Sequence, residues 1–311
     1  MARKLRIQFP GAVYHVLNRG DRREAIFRDD TDRRLFLETL AEACAKTDWK
    51  VHGYCLMPNH FHLVVETPQA NLVAGMKWFL GTFTNRFNRR HRLFGHLFGG
   101  RYKALVVEAE APGYLKAVCD YVHLNPVRAR LVAAAEPLKS YAWSSFPEYL
   151  RSASRRPGWL RVDRLLGEHG IRQDTRAGRR VFEQRLEEQR RAEHDPEAWV
   201  AMRRGWCLGD ETFRKEVLAQ VSEQRGAHHY GAELREGEEE KAERLLREEL
   251  ARCRWAERDL AGKPKTDRQK ARIAGRLRRE TTMTLAWIAQ RLHMGSVNTL
   301  RNTLRLCNSR D

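Results

Sequence analysis

The sequence has no long apolar run and no cysteine pairing pattern. None of its 311 residues falls in a stretch of 18 consecutive apolar residues, which argues against a transmembrane helix. No apolar segment follows the first six residues, so we do not expect a signal peptide. The six cysteines form no CxxC pair, which argues against a disulfide framework and a zinc finger. We therefore expect a cytoplasmic chain, without a membrane partner, whose cysteines are reduced and mostly buried.

Acidic residues are outnumbered by basic ones. The chain has 58 Lys and Arg against 40 Asp and Glu, a net charge of +18. Residues 1–150 carry +8 and residues 151–311 carry +10, so neither half is the sole source. A hydrophobic fraction of 42% is enough for a core, and the length suits about two domains. The charge favours nucleic acid as the partner, although a membrane surface or an acidic protein would also attract it.

Residues 82–103 combine basic and aromatic side chains without any acid. Basic groups neutralise phosphates, and exposed rings stack on bases. The basic residues of this segment, which we expect to contact DNA, are Arg86, Arg89, Arg90, Arg92, Arg101 and Lys103. Phe79, Phe83 and Phe87 instead recur at the spacing of a buried helical stripe. We expect the rings that follow Arg92 to be more open.

Two hydrophobic periodicities alternate along the first 150 residues. Alternation of period two predicts strands over 12–18, 50–57, 60–66 and 102–108. Helical spacing predicts helices over 32–46 and 72–90. The order β-α-β-β-α-β is that of a ferredoxin-like split βαβ fold, in the α+β class. One more helix is expected from Pro112 to about Asn125, with Pro126 ending it because proline lacks the donor N–H.

Beyond about residue 155 the sequence becomes mostly helical and rich in Arg and Glu. Residues 226–240 have the composition of a linker, with three glycines and a short acidic run. Near the end, an amphipathic stretch at 284–292 is followed by a glycine turn and a second helix capped by Ser296. This pattern is typical of a helix-turn-helix, although any helical hairpin shares it. The second helix would present Asn298, Arg301 and Arg305 to a DNA groove.

Two histidines, a tyrosine and an asparagine are the candidates for chemistry. His60 and His62, two apart in a strand, share one face, and two imidazoles on one face can clip a metal ion. Tyr121 and Asn125, four apart on a helix, lie one turn from each other. If that helix crosses the histidine face, an amide oxygen completes a metal site beside a phenol. A buried tyrosine and a capping asparagine would show the same spacing. His123 lies off the face of Tyr121 and is interpreted as structural or DNA-facing.

Three segments, in order, resemble one family. They are residues 57–65 (MPNHFHLVV), 95–103 (GHLFGGRYK) and 120–129 (DYVHLNPVRA). Together they resemble the REP-associated tyrosine transposases, single-strand DNA nucleases of the His-hydrophobic-His superfamily. Residues 141–145 (YAWSS) resemble the segment that follows the catalytic domain in this family. The resemblance covers about residues 5–150.

The resemblance implies a transposase that cleaves single-stranded DNA next to hairpins. Tyr121 would attack the phosphorus, keep the 5′ phosphate as a phosphotyrosine and release a 3′-OH. His60, His62 and Asn125 would hold Mg²⁺ or Mn²⁺, which orients the scissile phosphate. A second 3′-OH could then reverse the step, so that strand transfer needs no nucleotide cofactor. Arg128, within the third matching segment, is expected to contact DNA.

The chain would then divide into four parts. They are the nuclease domain (1–150), a helical extension (151–225), a linker and charged helix (226–262) and a helix-turn-helix-like DNA-binding unit (263–311). The main competing hypothesis is a DNA-binding regulator that uses the nuclease domain only to bind hairpins, but the four filled catalytic positions favour the enzyme. A replication initiator or relaxase would need further domains, and an RNA-binding role rests only on charge. We expect a nucleoid-associated monomer rather than a homodimer.

Overall fold

Four antiparallel strands of the N-terminal half form the main sheet. The computed structural model describes residues 7–192, 202, 205–224 and 233–308. The four strands are β1 (Ala12–Arg19), β2 (Lys50–Met57), β3 (His60–Thr67) and β4 (Lys103–Val107). They lie in the order β2-β3-β1-β4. A fifth strand of two residues, β5 (Cys207–Leu208), pairs in parallel with β4 and was not predicted.

Three helices flank this sheet. They are α1 (Asp30–Thr47), α2 (Leu72–His91) and α3 (Tyr114–Arg128). With the strands they confirm the predicted order β-α-β-β-α-β followed by one more helix. Helices α1 and α2 pack against each other, whereas α3 lies against β2 and β3.

Successive side chains of β3 point to opposite faces of the sheet, and each face is covered by a different layer of helices. Phe61 points to one face, where its ring contacts Phe36 of α1 and Phe79 of α2. His62 points to the other face and contacts the ring of Tyr121 in α3. The sheet therefore lies between an α1–α2 layer and α3, and the candidate residues are on the α3 side.

Helix α3 does not end where the sequence suggested. It begins at Tyr114, after Gly113 with a left-handed φ of +91°, and continues through Pro126 to Arg128. Proline removes one N–H donor, but the following turn still forms, because the N–H of Ala129 donates to the carbonyl of Asn125 at 3.0 Å. The prediction that Pro126 ends the helix was therefore wrong.

The aromatic predictions for residues 79–102 are confirmed in part. Phe79, Phe83 and Phe87 are buried, as predicted for a helical stripe. Of the rings after Arg92, Phe94 is 99% exposed, but the other two, Phe98 and Tyr102, are buried. The expectation of open rings was wrong for these two. The ring of Phe98 packs against those of Phe61 and Phe83.

The helical extension shares the core of the nuclease domain. Helix α4 (Phe146–Leu150) ends the nuclease domain, and the extension contains α5 (Asp163–Glu168), α6 (Arg176–Ala192) and α7 (Glu211–Gln224). Phe182 of α6 is buried and stacks on Tyr149 with ring centroids 5.1 Å apart. Because both rings belong to the same hydrophobic cluster as the sheet, the core does not break at residue 150.

A second hydrophobic cluster holds the C-terminal helices together. These are α8 (Glu233–Cys253), α9 (Asp259–Gly262), α10 (Arg268–Glu280), α11 (Leu285–Arg291) and α12 (Val297–Asn308). The linker expected at 226–240 is helical from Glu233 onward, and residues 226–232 lie outside the described residues. The hydroxyl of Thr284 accepts from the N–H of Trp287, and that of Ser296 from the N–H of Thr299. The predicted cap at Ser296 is therefore confirmed.

Lys46 joins the two clusters. Its ammonium, at the end of α1, donates to the carbonyls of Arg278, Arg279 and Thr281 at the end of α10. A cation at the C-terminus of a helix interacts favourably with the helix dipole. The C-terminal helices are therefore attached to the α1–α2 side of the sheet, opposite α3.

The features that the sequence lacks are also missing from the part of the chain described here. No helix in that part is both long and apolar enough to cross a membrane. Five cysteines are unpaired, and four of them are buried, as predicted. The side chain of the sixth, Cys307, lies outside the described residues.

Candidate active site

The four candidate residues line one cleft of about 690 Å³. His60 and His62 come from the start of β3, and Tyr121 and Asn125 come from the second half of α3. Helix α3 therefore does cross the histidine face, as the sequence analysis required. Tyr121 meets His62 edge-on, with ring centroids 5.8 Å apart and an interplanar angle of 81°.

A hydrogen bond to Asn59 fixes which nitrogen of His60 carries the proton. The Nδ2 amine of Asn59 donates to the carbonyl of Arg23 at 3.1 Å. The other amide atom of Asn59, Oδ1, lies 2.7 Å from Nδ1 of His60. Because an oxygen can only accept here, Nδ1 carries the proton, and Nε2 keeps its lone pair.

A third histidine, His15 of β1, lies behind the pair and was missed in the sequence. Its Nε2 lies 2.8 Å from Nδ1 of His62, and the two rings stack with centroids 5.1 Å apart. The register explains this contact, because His15 lies opposite Val64, which shares a face with His62. The available signal was a lone histidine within the mostly apolar residues 12–17 of this strand.

The imidazoles of the cleft are neutral at physiological pH. Burial, helped by the charge of Arg19, lowers the pKa of His60 to about 4. Burial also holds the pKa of His62 well below its usual value, and the neighbouring His15, His60, Arg128 and Arg19 add to this effect. A metal-binding imidazole must be neutral, so the protonation state of both rings suits a ligand role.

Asn125 and Arg128 complete the α3 side of the cleft. The guanidinium of Arg128 lies over the Tyr121 ring, 4.6 Å from its centroid, and donates to the Tyr121 carbonyl at 2.7 Å. It also reaches Oδ1 of Asn125 at 3.5 Å. The Nδ2 atom of Asn125 is buried without a hydrogen-bond partner. A half-turn of this amide would exchange its Oδ1 and Nδ2 atoms and end the contact between Oδ1 and Arg128.

This donor set fits a divalent cation that accepts both nitrogen and oxygen ligands. Two neutral imidazoles and one amide leave further coordination positions for water or phosphate oxygens. Within the described residues, no group of three or more His, Cys, Asp or Glu could hold a metal ion. Besides the two imidazoles, a metal ion in this cleft would therefore draw its ligands from Asn125, water or the DNA.

Basic side chains surround the cleft. The cations that line it are Arg19, Arg22, Arg23, Arg101, Lys103 and Arg128. Three of these, Arg101, Lys103 and Arg128, were predicted to contact DNA. Of the other three, Arg19 is the last residue of β1, and Arg22 and Arg23 lie in the segment that follows it, with positive φ angles of 49° and 66°. Such strained backbone conformations cluster at functional sites.

The remaining predicted cations of the nuclease domain lie outside the cleft. Arg86 pairs with Glu42 at 2.7 Å. Arg90 pairs with Asp29 and Asp32, at 2.6 Å each. Arg86 and Arg90 therefore join α2 to α1, a role that was not predicted from the sequence. The other two, Arg89 and Arg92, are exposed.

The predicted recognition helix α12 presents its polar residues outward. Asn298, Arg301 and Arg305 are exposed, whereas Leu300 and Leu304 of the same helix are buried. Among the ion pairs of the described chain, none involves Arg301 or Arg305. Both guanidinium groups are therefore available to an external anion.

His123 has a structural environment. It is fully buried, and its Nε2 lies 2.7 Å from the hydroxyl of Ser145. Asp120, three residues earlier on the same helix, is buried and pairs with Lys116 and His169. These contacts attach α3 to the helical extension, and they exclude the DNA-facing alternative for His123.

Comparison with known families gives an independent result for this part of the chain. Residues 8–125 match the family described as IS200-like transposases. The matched segment is less than half of the chain, but it contains all four candidate residues. Residues 8–125 are therefore similar to an IS200-like transposase domain.

Other comparisons add less to this assignment. One solved structure that resembles the chain is described as a REP-associated tyrosine transposase bound to a REP hairpin. Its sequence identity is 13%, the match covers 52% of this chain and 92% of that one, and the TM-score is 0.40. No curated protein matches the chain.

Proposed function

We propose that this transposase domain is a metal-dependent single-strand DNA endonuclease and strand transferase of the REP-associated tyrosine type, acting next to DNA hairpins. The observation that carries the proposal is the position of Tyr121. Its side chain shares one cleft with two neutral imidazoles, the amide of Asn125, whose Nδ2 atom has no hydrogen-bond partner, and several cations. A nucleophile, electrophilic assistance and phosphate binding are the parts that phosphoryl transfer needs.

In the proposed reaction, the Tyr121 oxygen attacks the phosphorus of a phosphodiester. The bond between phosphorus and the 3′ oxygen breaks, and the 5′ phosphate stays on the tyrosine. The phenol loses one proton and the departing 3′ oxygen gains one to become a 3′-OH. Arg128 lies over the phenol ring and favours the negative charge that develops as the proton leaves. Arg101 and Lys103 hold neighbouring phosphates. Mg²⁺ or Mn²⁺, held by His60, His62 and Asn125, would polarise the scissile phosphate.

Strand transfer is the reverse of cleavage with a different 3′-OH. Because the phosphotyrosine conserves the energy of the cleaved bond, rejoining needs no nucleotide cofactor. His60, His62, Tyr121 and Asn125 all come from one chain, so a monomer holds a complete site. We therefore propose a monomer as the active form.

The test is formation of a covalent protein–DNA adduct. Full-length protein is incubated with labelled single-stranded hairpin oligonucleotides and Mn²⁺ or Mg²⁺, and the products are separated on a denaturing gel. We expect an adduct with the wild type that does not form when EDTA is present or when Tyr121→Phe replaces the wild type. Tyr121→Phe should still bind the hairpin. Tyr114→Phe, which changes a half-buried tyrosine of the same helix, is the matched control and should form the adduct.

The two negative outcomes have different meanings. An adduct with Tyr121→Phe would show that the nucleophile is another residue. If the wild type binds cognate hairpins but never forms an adduct, the chain is a hairpin-binding regulator and the enzymatic proposal is wrong.

We also propose that α12 reads duplex DNA beside the hairpin. The supporting observation is the exposure of Asn298, Arg301 and Arg305 on one helix face. Arg301→Ala should weaken binding and flatten its salt dependence on substrates with flanking duplex, without changing cleavage of a short hairpin. Arg244→Ala, which removes an exposed guanidinium already paired with Glu248, is the control. Equal loss of both activities in Arg301→Ala would contradict a separate DNA-reading unit.

A further inference from the structure

The position of His15 is not explained by packing alone. It is a fully buried polar residue between Tyr14 and Val16 in the central strand β1. Its ring lies almost parallel to that of His62, at 17°, and edge-on to that of Tyr121, with centroids 5.7 Å apart. One side chain therefore touches both a candidate metal ligand and the candidate nucleophile.

The contact between His15 and His62 couples the tautomers of the two rings. Nε2 of His15 and Nδ1 of His62 are 2.8 Å apart. Between two neutral imidazoles, one nitrogen must donate and the other must accept. If Nδ1 of His62 donates, its Nε2 has a lone pair; if Nδ1 accepts, Nε2 carries a proton and cannot bind a metal ion.

The charges of the cleft favour the first arrangement. Arg19 and Arg128 both act on His62 electrostatically and line the same cleft. A lone pair on Nε2 is stabilised by nearby positive charge, whereas an N–H dipole pointing the same way is destabilised. The far nitrogen of His15, Nδ1, is buried without a hydrogen-bond partner. It carries the proton in the first arrangement and a lone pair in the second, so the preference for the first comes from the cleft charges and not from this atom.

The neighbouring histidine shows the same design. Nδ1 of His60 is held by Oδ1 of Asn59, which leaves Nε2 for the cleft. Partners of this kind orient metal-binding histidines and fix their tautomers. We infer that His15 is a positioning residue. Its Nε2 accepts a hydrogen bond from Nδ1–H of His62, which leaves the lone pair of His62 on Nε2 for the metal site. The inference rests on the proposed role of His62 as a ligand.

The direct test is the tautomer of His62 in the metal-free, full-length protein. Long-range ¹H–¹⁵N correlation spectra of ¹⁵N-histidine protein distinguish a protonated Nδ1 from a protonated Nε2. We expect the Nδ1–H form of His62 in the wild type and in His15→Gln, because the glutamine oxygen can accept the same proton. In His15→Leu the acceptor is lost, and the Nε2–H form should appear.

Metal affinity gives the second readout. Titration with Mn²⁺, followed by the electron paramagnetic resonance signal of the free ion, should show binding weakened about 10- to 100-fold in His15→Leu. His15→Gln should remain within a few-fold of the wild type. His52→Gln is the matched control, because His52 is another buried strand histidine whose side chain bonds to Glu66. The affinity of this variant for Mn²⁺ should equal that of the wild type.

The outcomes separate this inference from the proposed function. A wild-type His62 in the Nε2–H form would overturn the inference, as would unchanged tautomer and affinity in His15→Leu. If the tautomer depends on His15 but the wild type binds no Mn²⁺, the positioning contact stands and the metal-dependent function fails.

Discussion

The structure divides the basic residues of the nuclease domain into paired and unpaired groups, and this division predicts their effects on DNA binding. Arg101 lines the cleft, and no ion pair of the described residues involves it. Arg86 belongs to the same basic segment of the sequence but is half-buried and already pairs with Glu42 at 2.7 Å. Replacement of each by glutamine should therefore affect the salt dependence of binding differently.

The expected magnitude follows from the number of phosphates that are neutralised. Six cations line the cleft, and each contact with a single strand contributes about 0.7 to the logarithmic salt slope. If all six contact phosphates, raising the salt from about 50 to about 200 mM weakens binding roughly 300-fold. Loss of Arg101 reduces the slope by about 0.7, so the same change in salt weakens binding only about 100-fold.

The assay is fluorescence anisotropy of a labelled single-stranded hairpin over a series of salt concentrations. Tyr121→Phe serves as the background, so that the DNA stays intact. Arg101→Gln should flatten the slope, and Arg86→Gln should leave it unchanged. Equal flattening by both substitutions, or by neither, would refute the division into paired and unpaired cations.

Two further predictions concern the stability of the fold. Burial lowers the pKa of His123 to about 4, so between pH 6.5 and 4 only the unfolded chain binds this proton, and stability falls as the pH is lowered. The residue should account for about 2 kcal/mol of unfolding free energy between about pH 7 and 5; chemical denaturation of His123→Gln should show a smaller pH dependence, and an unchanged one would contradict the assignment. Lys46→Met removes the hydrogen bonds to the end of α10. This should weaken the attachment of the C-terminal helices to α1 by about 2 kcal/mol and accelerate amide exchange in residues 268–281 about 30-fold. Unchanged exchange would mean that Lys46 does not hold the two clusters together.

The parts of the site that depend on local periodicity could be predicted from the sequence. The period of two in β3 places His60 and His62 on one face, and the helical period of α3 places Tyr121 and Asn125 on another. The bounds of β2, residues 50–57, were predicted without error. In these segments the pattern of burial and the local backbone preference agree, so the amino-acid sequence alone is sufficient to predict the element.

The parts that depend on contacts distant in the chain could not be predicted. His15 reaches His62 across 47 residues through the register of β1 and β3. Arg86 is occupied by Glu42 only because α1 and α2 pack side by side. The strand β5 joins the sheet about 100 residues after β4. Periodicity describes a single element and carries no information about its neighbour.

The central claim is that Tyr121 becomes covalently joined to DNA. Digestion of the adduct with trypsin and a nuclease should yield the peptide Ala117–Arg128, because Lys116 and Arg128 flank it and Tyr121 is its only tyrosine. Tandem mass spectrometry should then find this peptide with a nucleotide 5′ phosphate on Tyr121 when the reaction contains Mn²⁺, and not when EDTA is present from the start. A nucleotide on any other residue, or an unmodified peptide from a preparation that has cleaved its DNA, would contradict the claim.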